Sequence, residues 1–277
     1  RAAGIKPGDI LISANGKKLK SNEELTEIIG GSGGERVEMK LMRGNEEFTA
    51  FVTPEKTVTT KTYKCGMWIR DYTGGIGTLT YSDTLYGTLA ALGHGIYDTD
   101  TSLLLPVVSG TLRCAEISSV TKGQPGAAGE ICGIIGKNIY GSLLTNTDEG
   151  IYGRISALPD NGESIPVANK SEVHEGAAEI ICTVKDGQKQ RYDINIDKVI
   201  YTSSCNKSIT VRITDPELIA QTGGIVQGMS GSPIIQDGML AGAITHVFIN
   251  NPRGGYAVFA EDMLNLSDAV AQTDNAA

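Results

Sequence analysis

Apolar and polar residues alternate in short runs along most of this chain, and helical spacing interrupts that rhythm near its two ends. In "GIKPGDILISANGKKL" a Lys6-Pro7-Gly8-Asp9 turn leads into a strand on which Ile10 and Ile12 face alike. Asn15-Gly16 then supplies a tight turn. Ser21 followed by Glu24 reads as a capping box, and Leu25, Ile28 and Ile29 form the apolar stripe of a short helix. Two strands, 36–43 and 46–53, pair across Arg43-Gly44-Asn45. From about Thr57 the two-residue period returns at 63–70, 76–81, 103–120, 131–136, 141–145, 177–184, 190–196, 207–213, 233–236, 239–248 and 255–260. Asp186-Gly187 and Asp237-Gly238 are hairpin turn signals. The closing "EDMLNLSDAV" places Met263, Leu264 and Leu266 on a short helix.

So many short strands predict a mainly β protein, with residues 1–56 as a small first domain and 57–277 as one large barrel or a pair of barrels. The 35 glycines and an aromatic content of only 5% fit that reading. A hydrophobic content of 40% argues for a globular chain rather than a disordered one. The formal net charge of -8 offers no basic stripe and therefore no support for nucleic-acid binding. No apolar run reaches the ~18 residues of a membrane helix. The chain starts at Arg1 without a methionine, so an upstream anchor is expected to be missing rather than absent from the full protein.

Cys65, Cys114, Cys132, Cys182 and Cys205 are widely spaced, and with only three histidines no metal-ligand spacing appears. Neither a metal nor an organic cofactor is expected. The glycine-rich "KGQPGAAGEICGIIGK" fails as a phosphate loop, because Asn138 follows Gly136-Lys137 and the glycine spacing is wrong.

Chemistry concentrates in "QGMSGSPIIQDGM". A serine between two glycines can be a nucleophile or an inert turn, and the choice depends on a base elsewhere. His94, in "ALGHGIYDTD", ends an apolar strand between two glycines that leave room for a substrate. His174 lies in a polar run and reads as a surface residue. His246, in "AGAITHVF", sits on a strand after Ser230 and reads equally as a wall of the substrate pocket or as a core histidine. An early histidine and a late Gly-x-Ser-Gly follow the chain order of chymotrypsin-like proteases. In that layout the amides of Gly228 and Ser230 form an oxyanion hole, and Ser232-Pro233 starts the next strand. Met229 stands where trypsin-type enzymes carry an acid, so activation by pairing a new N-terminus with that acid is not expected. For the orienting carboxylate, Asp98, Asp100, Asp148, Asp160 and Asp215 all remain open.

The first 55 residues resemble the later part of a bacterial PDZ domain, lacking the first strands and the carboxylate-binding loop. Joined to "ALGHGIYDTDT" and "VRITDPELIAQTGGIVQGMSGSPIIQDGMLAGAITHVFINNPRGGYAVF", they resemble the stage IV sporulation protein B serine peptidases. This resemblance implies a chymotrypsin-like double β-barrel after a partial PDZ domain, and a triad of Ser230, His94 and Asp215, with Asp148 as the alternative acid. It also implies self-cleavage, then cleavage of a membrane-embedded regulator of an intramembrane protease that activates a mother-cell sigma factor. The implied location is beyond the inner forespore membrane. Two alternatives remain: an envelope quality-control PDZ protease, whose domain order is usually reversed, and an inactive pseudoprotease scaffold.

Overall fold

A computed structural model of the protein describes residues 3–157, 163–184, 187–202 and 205–275. The chain divides into two compact units, Arg1–Gly74 with Thr99–Leu103, and Gly75–Asp98 with Leu104–Ala277. The first unit therefore runs past residue 56 and takes in a later five-residue segment.

In the first unit β1 (Ile10–Ala14), β2 (Lys17–Lys18), α1 (Asn22–Gly31), β3 (Val37–Arg43) and β4 (Glu46–Val52) build a sheet of order β2-β1-β3-β4 with one helix. Asn15 and Gly16 both take positive φ, 47° and 77°, as the Asn-Gly turn requires. The Ser21 hydroxyl accepts from the Glu24 amide, but the Glu24 carboxylate returns to the amide of Lys20 rather than Ser21. The pairing of β1 with β3 slips between Leu11 and Ser13, which turns Leu11 and Ala14 to the core and leaves Ile10 42% exposed. Only β5 (Glu55–Lys56) and β6 (Tyr63–Lys64) follow as strands. Cys65, Met67 and Ile69 then pack on the same core without continuing a strand to residue 70.

The second unit opens with β7 (Leu79–Asp83), β8 (Thr88–Ala91), β9 (Thr111–Thr121), β10 (Glu130–Thr147) and β11 (Gly150–Ile155), in a five-stranded sheet of order β7-β8-β11-β10-β9. This half is an open sheet. The two segments expected at 131–136 and 141–145 are one long strand, β10, interrupted by register shifts. Then β12 (Gly176–Thr183), β13 (Lys189–Val199), β14 (Ile209–Ile213), β15 (Pro233–Gln236), β16 (Met239–Phe248) and β17 (Asn251–Phe259) close a barrel in the order β12-β13-β14-β17-β16-β15. The molecule is thus mainly β and chymotrypsin-like in plan, with one closed barrel and one half-barrel.

Alternation explains the barrel. On β13 and β14, Tyr192, Ile194, Ile196, Ile209, Val211 and Ile213 point inward at every second position, and all are buried. Each aliphatic side chain taken out of water there contributes about 1.5–3 kcal/mol. A short helix, α2 (Pro216–Thr222), leaves the barrel, with Asp215 as N-cap, Pro216 in its first turn and Gly223 at φ 78° closing it. The last helix, α3 (Ala260–Asn275), packs Met263 against Ala90 and Tyr152 of the open sheet and Ala243 and Val258 of the barrel. Among the described residues no helix is long and apolar enough to cross a membrane.

Candidate active site

Ser230 lies on the turn between α2 and β15. Gly228 and Gly231 flank it with φ of 101° and 91°. A Cβ on Gly231 would lie 2.1 Å from the Thr78 carbonyl oxygen, and one on Gly228 would lie 2.9 Å from Ile131 Cβ. Both positions thus need glycine for backbone conformation and for space. Residues 78–80 stitch the turn in place. The Thr78 amide donates to Ser230 O (2.8 Å), Thr78 Oγ1 to Gly228 O (3.0 Å) and Thr80 Oγ1 to Gly231 O (2.8 Å). The amides of Gly228 and Ser230 donate to no carbonyl or side chain among the described residues. Ser232 is fully buried as a packing residue, and the Met229 side chain enters the barrel core.

His94 stands on the loop after β8. Leu92 and Gly93 both adopt positive φ, 71° and 67°, and swing the chain against β16 and β17, where a Cβ on Gly93 would meet Thr245 and Val258 at 3.1 Å. Nδ1 of His94 lies 2.8 Å from the Gly95 carbonyl oxygen. A carbonyl only accepts, so this bond assigns the proton to Nδ1 and leaves the lone pair on Nε2, the tautomer a general base needs. Buried Asn146 clamps the same loop by accepting from Ile96 N (2.9 Å) and donating to Ile96 O (2.7 Å) and Leu105 O (2.9 Å).

Two consecutive residues of β16 connect these elements. Ser230 Oγ donates to Thr245 O at 3.0 Å, and the next residue, His246, sets its ring 4.9 Å from that of His94. His246 is half-buried, with its Nδ1 enclosed and unpartnered. Burial first, then the neighbouring His94 and Lys207, push its pKa down to about 4.

Asp215 stands at the start of α2, beyond the end of β14. Its carboxylate accepts from Leu218 N (2.9 Å) and Asp193 N (3.4 Å), and it caps α2. Thr245 Oγ1 reaches Asn206 O at 2.7 Å, just before β14, whereas Asp215 lies beyond its far end. The strand between them is roughly 13 Å long. No hydrogen bond joins Asp215 to His94. Asp148 is nearer, because its carbonyl accepts from Gly95 N (3.3 Å) and from Asn206 Nδ2 (2.8 Å). Its carboxylate accepts from the Tyr97 hydroxyl at 2.5 Å, which pushes the Tyr97 pKa up to about 12. Asp100 pairs with Arg70 in the first unit, and Asp160 and Asp186 lie outside the described residues.

His174 is a surface group, bonded to Glu175 O and to Asp237, and both raise its pKa. None of the five cysteines forms a disulfide, and burial pushes the Cys182 thiol up to about 12. Sequence reasoning missed Thr78, Thr80, Asn146 and the Thr245 carbonyl. None carries a motif, since each acts through or upon backbone atoms.

A serine protease of Xenopus laevis, HTRA1, is 43% identical over 54 residues, covering 20% of this chain and 11% of its own length. The chain spans no more than about a sixth of the length of the curated relatives it matches. Among solved structures, the active form of the Rv3671c protease of M. tuberculosis is 14% identical, covering 55% of this chain and 70% of its own, with a TM-score of 0.35. A mutant of human heparin binding protein is 11% identical, covering 67% and 74%, with a TM-score of 0.33. A PDZ domain model matches residues 1–43 and the SpoIVB peptidase S55 model matches residues 61–264. The chain therefore belongs to the SpoIVB peptidase S55 family.

Proposed function

We propose that the protein is a serine endopeptidase in which Ser230 attacks the scissile carbonyl and His94 serves first as general base and then as general acid. One observation carries this reading: adjacent residues of β16 hold the two groups, Thr245 through the Ser230 hydroxyl and His246 through the His94 ring. In the proposed mechanism the Ser230 hydroxyl leaves the Thr245 carbonyl and donates to His94 Nε2 when substrate binds, a tightening of the kind expected on going from the free to the bound enzyme. The developing oxyanion takes the free amides of Gly228 and Ser230. On the Ser230-facing edge of β16, Ile244 exchanges backbone bonds with Gly231 and Ser232 and Thr245 O accepts from Ser230; beyond them that edge has no strand partner among the described residues, which leaves it for an extended substrate to pair with. His246 forms the wall of that edge.

The resemblance gives the orienting acid to Asp215. The helix cap that Asp215 makes, and the bond from Gly95 N to the carbonyl of Asp148 at the β10–β11 turn, support Asp148 as the alternative carboxylate nearer to His94. The family resemblance supports the wider role: self-cleavage, then cutting of a membrane-embedded regulator of an intramembrane protease during sporulation, beyond the inner forespore membrane.

Fluorophosphonate labelling tests the chemistry. Covalent modification of the folded protein at Ser230, lost in Ser230→Ala and His94→Ala, is the expected result. No labelling of the folded wild-type protein would favour a non-catalytic binding module.

A further inference from the structure

The turn bearing Ser230 needs something to hold its amides in place, and Met229 excludes an ion pair at the position where trypsin-type enzymes use one. The loop from Thr222 to Gly228 is instead fastened from outside the barrel by the tip of the β9–β10 hairpin. The Gly123 amide donates to Thr222 O (2.8 Å), the Gln227 amide to Gly129 O (2.9 Å) and the Ile131 amide to Gln227 O (2.8 Å). Lys122 Nζ reaches Ala220 O at 2.5 Å, near the end of α2. The tip is itself pinned, since the Gly126 amide donates to Ile249 O (2.8 Å), while the Ile225 amide donates to Pro252 O (2.7 Å).

The contact leaves no slack. A Cβ on Gly129 would stand 2.3 Å from Thr121 O and 2.7 Å from Val226 Cγ1, and one on Gly223 would stand 2.3 Å from Gly123 O. At the end of this seam the Ile131 side chain, 4% exposed, closes on Gly228. Gly228 has its φ of 101° there, and its amide is one of the two left without a partner.

We propose that the hairpin tip, residues 122–131, is the positioning element that sets the oxyanion-binding turn, with Ile131 as the side chain that fixes Gly228. The hairpin belongs to the open sheet and the turn to the barrel, so the half carrying the base also shapes the anion site of the half carrying the nucleophile. The proposal rests on Ser230 being the nucleophile, and the test separates the two ideas.

The rate of fluorophosphonate labelling at Ser230 is measured in wild type, Ile131→Ala, Ile131→Val and Lys122→Met, with the folded fraction of each fixed by thermal unfolding. The labelling rate is resolved into a reversible binding constant and a maximal rate. Loss of one oxyanion donor lowers rates by about 10²–10³-fold. Ile131→Ala is therefore expected to lose on the order of 10²-fold in maximal rate with an unchanged binding constant, while Ile131→Val stays within about tenfold. A purely structural role would lower the folded fraction and leave the rate per folded molecule alone. Should Ile131→Ala not fold, Lys122→Met carries the test at an exposed position, with an expected several-fold loss in the same maximal rate. Wild-type labelling with unchanged rates in the folded variants overturns the proposal. Absence of labelling in wild type overturns the reading of Ser230 and the proposal with it.

Discussion

The rings of His94 and His246 meet with centroids 4.9 Å apart and planes inclined by 38°. Two imidazoles at that separation oppose double protonation. His246 is half-buried with its Nδ1 enclosed, and burial is the first cause holding it neutral.

This pairing makes a pH prediction. The folded-state pKa of His246 is lowered to about 4, against an ordinary value near 6.5, while Lys207 and His94 face it and Tyr256 lies opposite on β17. Between pH 6.5 and 4 the unfolded chain binds a proton that the folded protein refuses, so stability falls as pH falls. His246→Phe removes that linkage. Its Tm is expected to decline less than that of wild type over this interval, and parallel Tm–pH curves would contradict it.

Ser230→Ala deletes one hydroxyl and its bond to Thr245 O, a net loss of about 1 kcal/mol. We expect a Tm within a few degrees of wild type and a fall in peptide cleavage of at least about 10³-fold. Both are read on one purified sample by calorimetry and by cleavage of an unfolded protein substrate.

Asp215→Asn keeps an oxygen that can cap α2 while removing the charge, because Asn and Asp are about equally good caps. With Asp215 acting as a cap, labelling of Ser230 continues within about threefold of wild type. A loss near 10⁴-fold, the size expected for a triad carboxylate, would restore the role implied by the resemblance. Asp148→Asn measured alongside completes the comparison.

Gly231→Ala places a methyl 2.1 Å from Thr78 O and 2.6 Å from Leu92 N at a φ of 91°. The backbone must move, at a cost of about 3 kcal/mol or more. Gly16→Ala, also at positive φ but with open space around it, is expected to cost about 1 kcal/mol. Urea unfolding of both variants measures the difference.

In the first unit, the Arg43 guanidinium grips the Asp9 carboxylate at 2.6 and 2.7 Å, and the Asp9 side chain is only 2% exposed. Hydrogen bonds from Arg43 lead the effects that hold the Asp9 pKa below its ordinary value. That stabilisation is present above about pH 4 and is lost as pH falls through the lowered value. Arg43→Met is expected to destabilise this unit and to shift its acid unfolding to higher pH. Circular dichroism through an acid titration reports the shift.

Legibility in the sequence followed physical cause. Helix α1 was readable because its cap and its apolar stripe are both side-chain signals. Strand β11 was not, because it is largely buried and so lacks alternation. Helix α2 was not readable either: Asp215-Pro216-Glu217 is a helix start, but seven residues are too few to show an apolar stripe. Ser230 and His94 stood out through their glycines. The seam at residues 122–131 did not, because its bonds are between backbone atoms. The glycines of "KGQPGAAGEICGIIGK" mark it, and Gly129 is there because two chains pass too close for any side chain.

Helix α3 carries a consequence for how the two halves of the second unit come together. Met263 completes a cluster whose other members come from the open sheet and from the barrel, so neither half is fully covered until that helix docks. On the ribosome, His94 and Ser230 emerge before α3 does. A nascent chain therefore holds both residues without the packing that fixes the two halves of the second unit against each other.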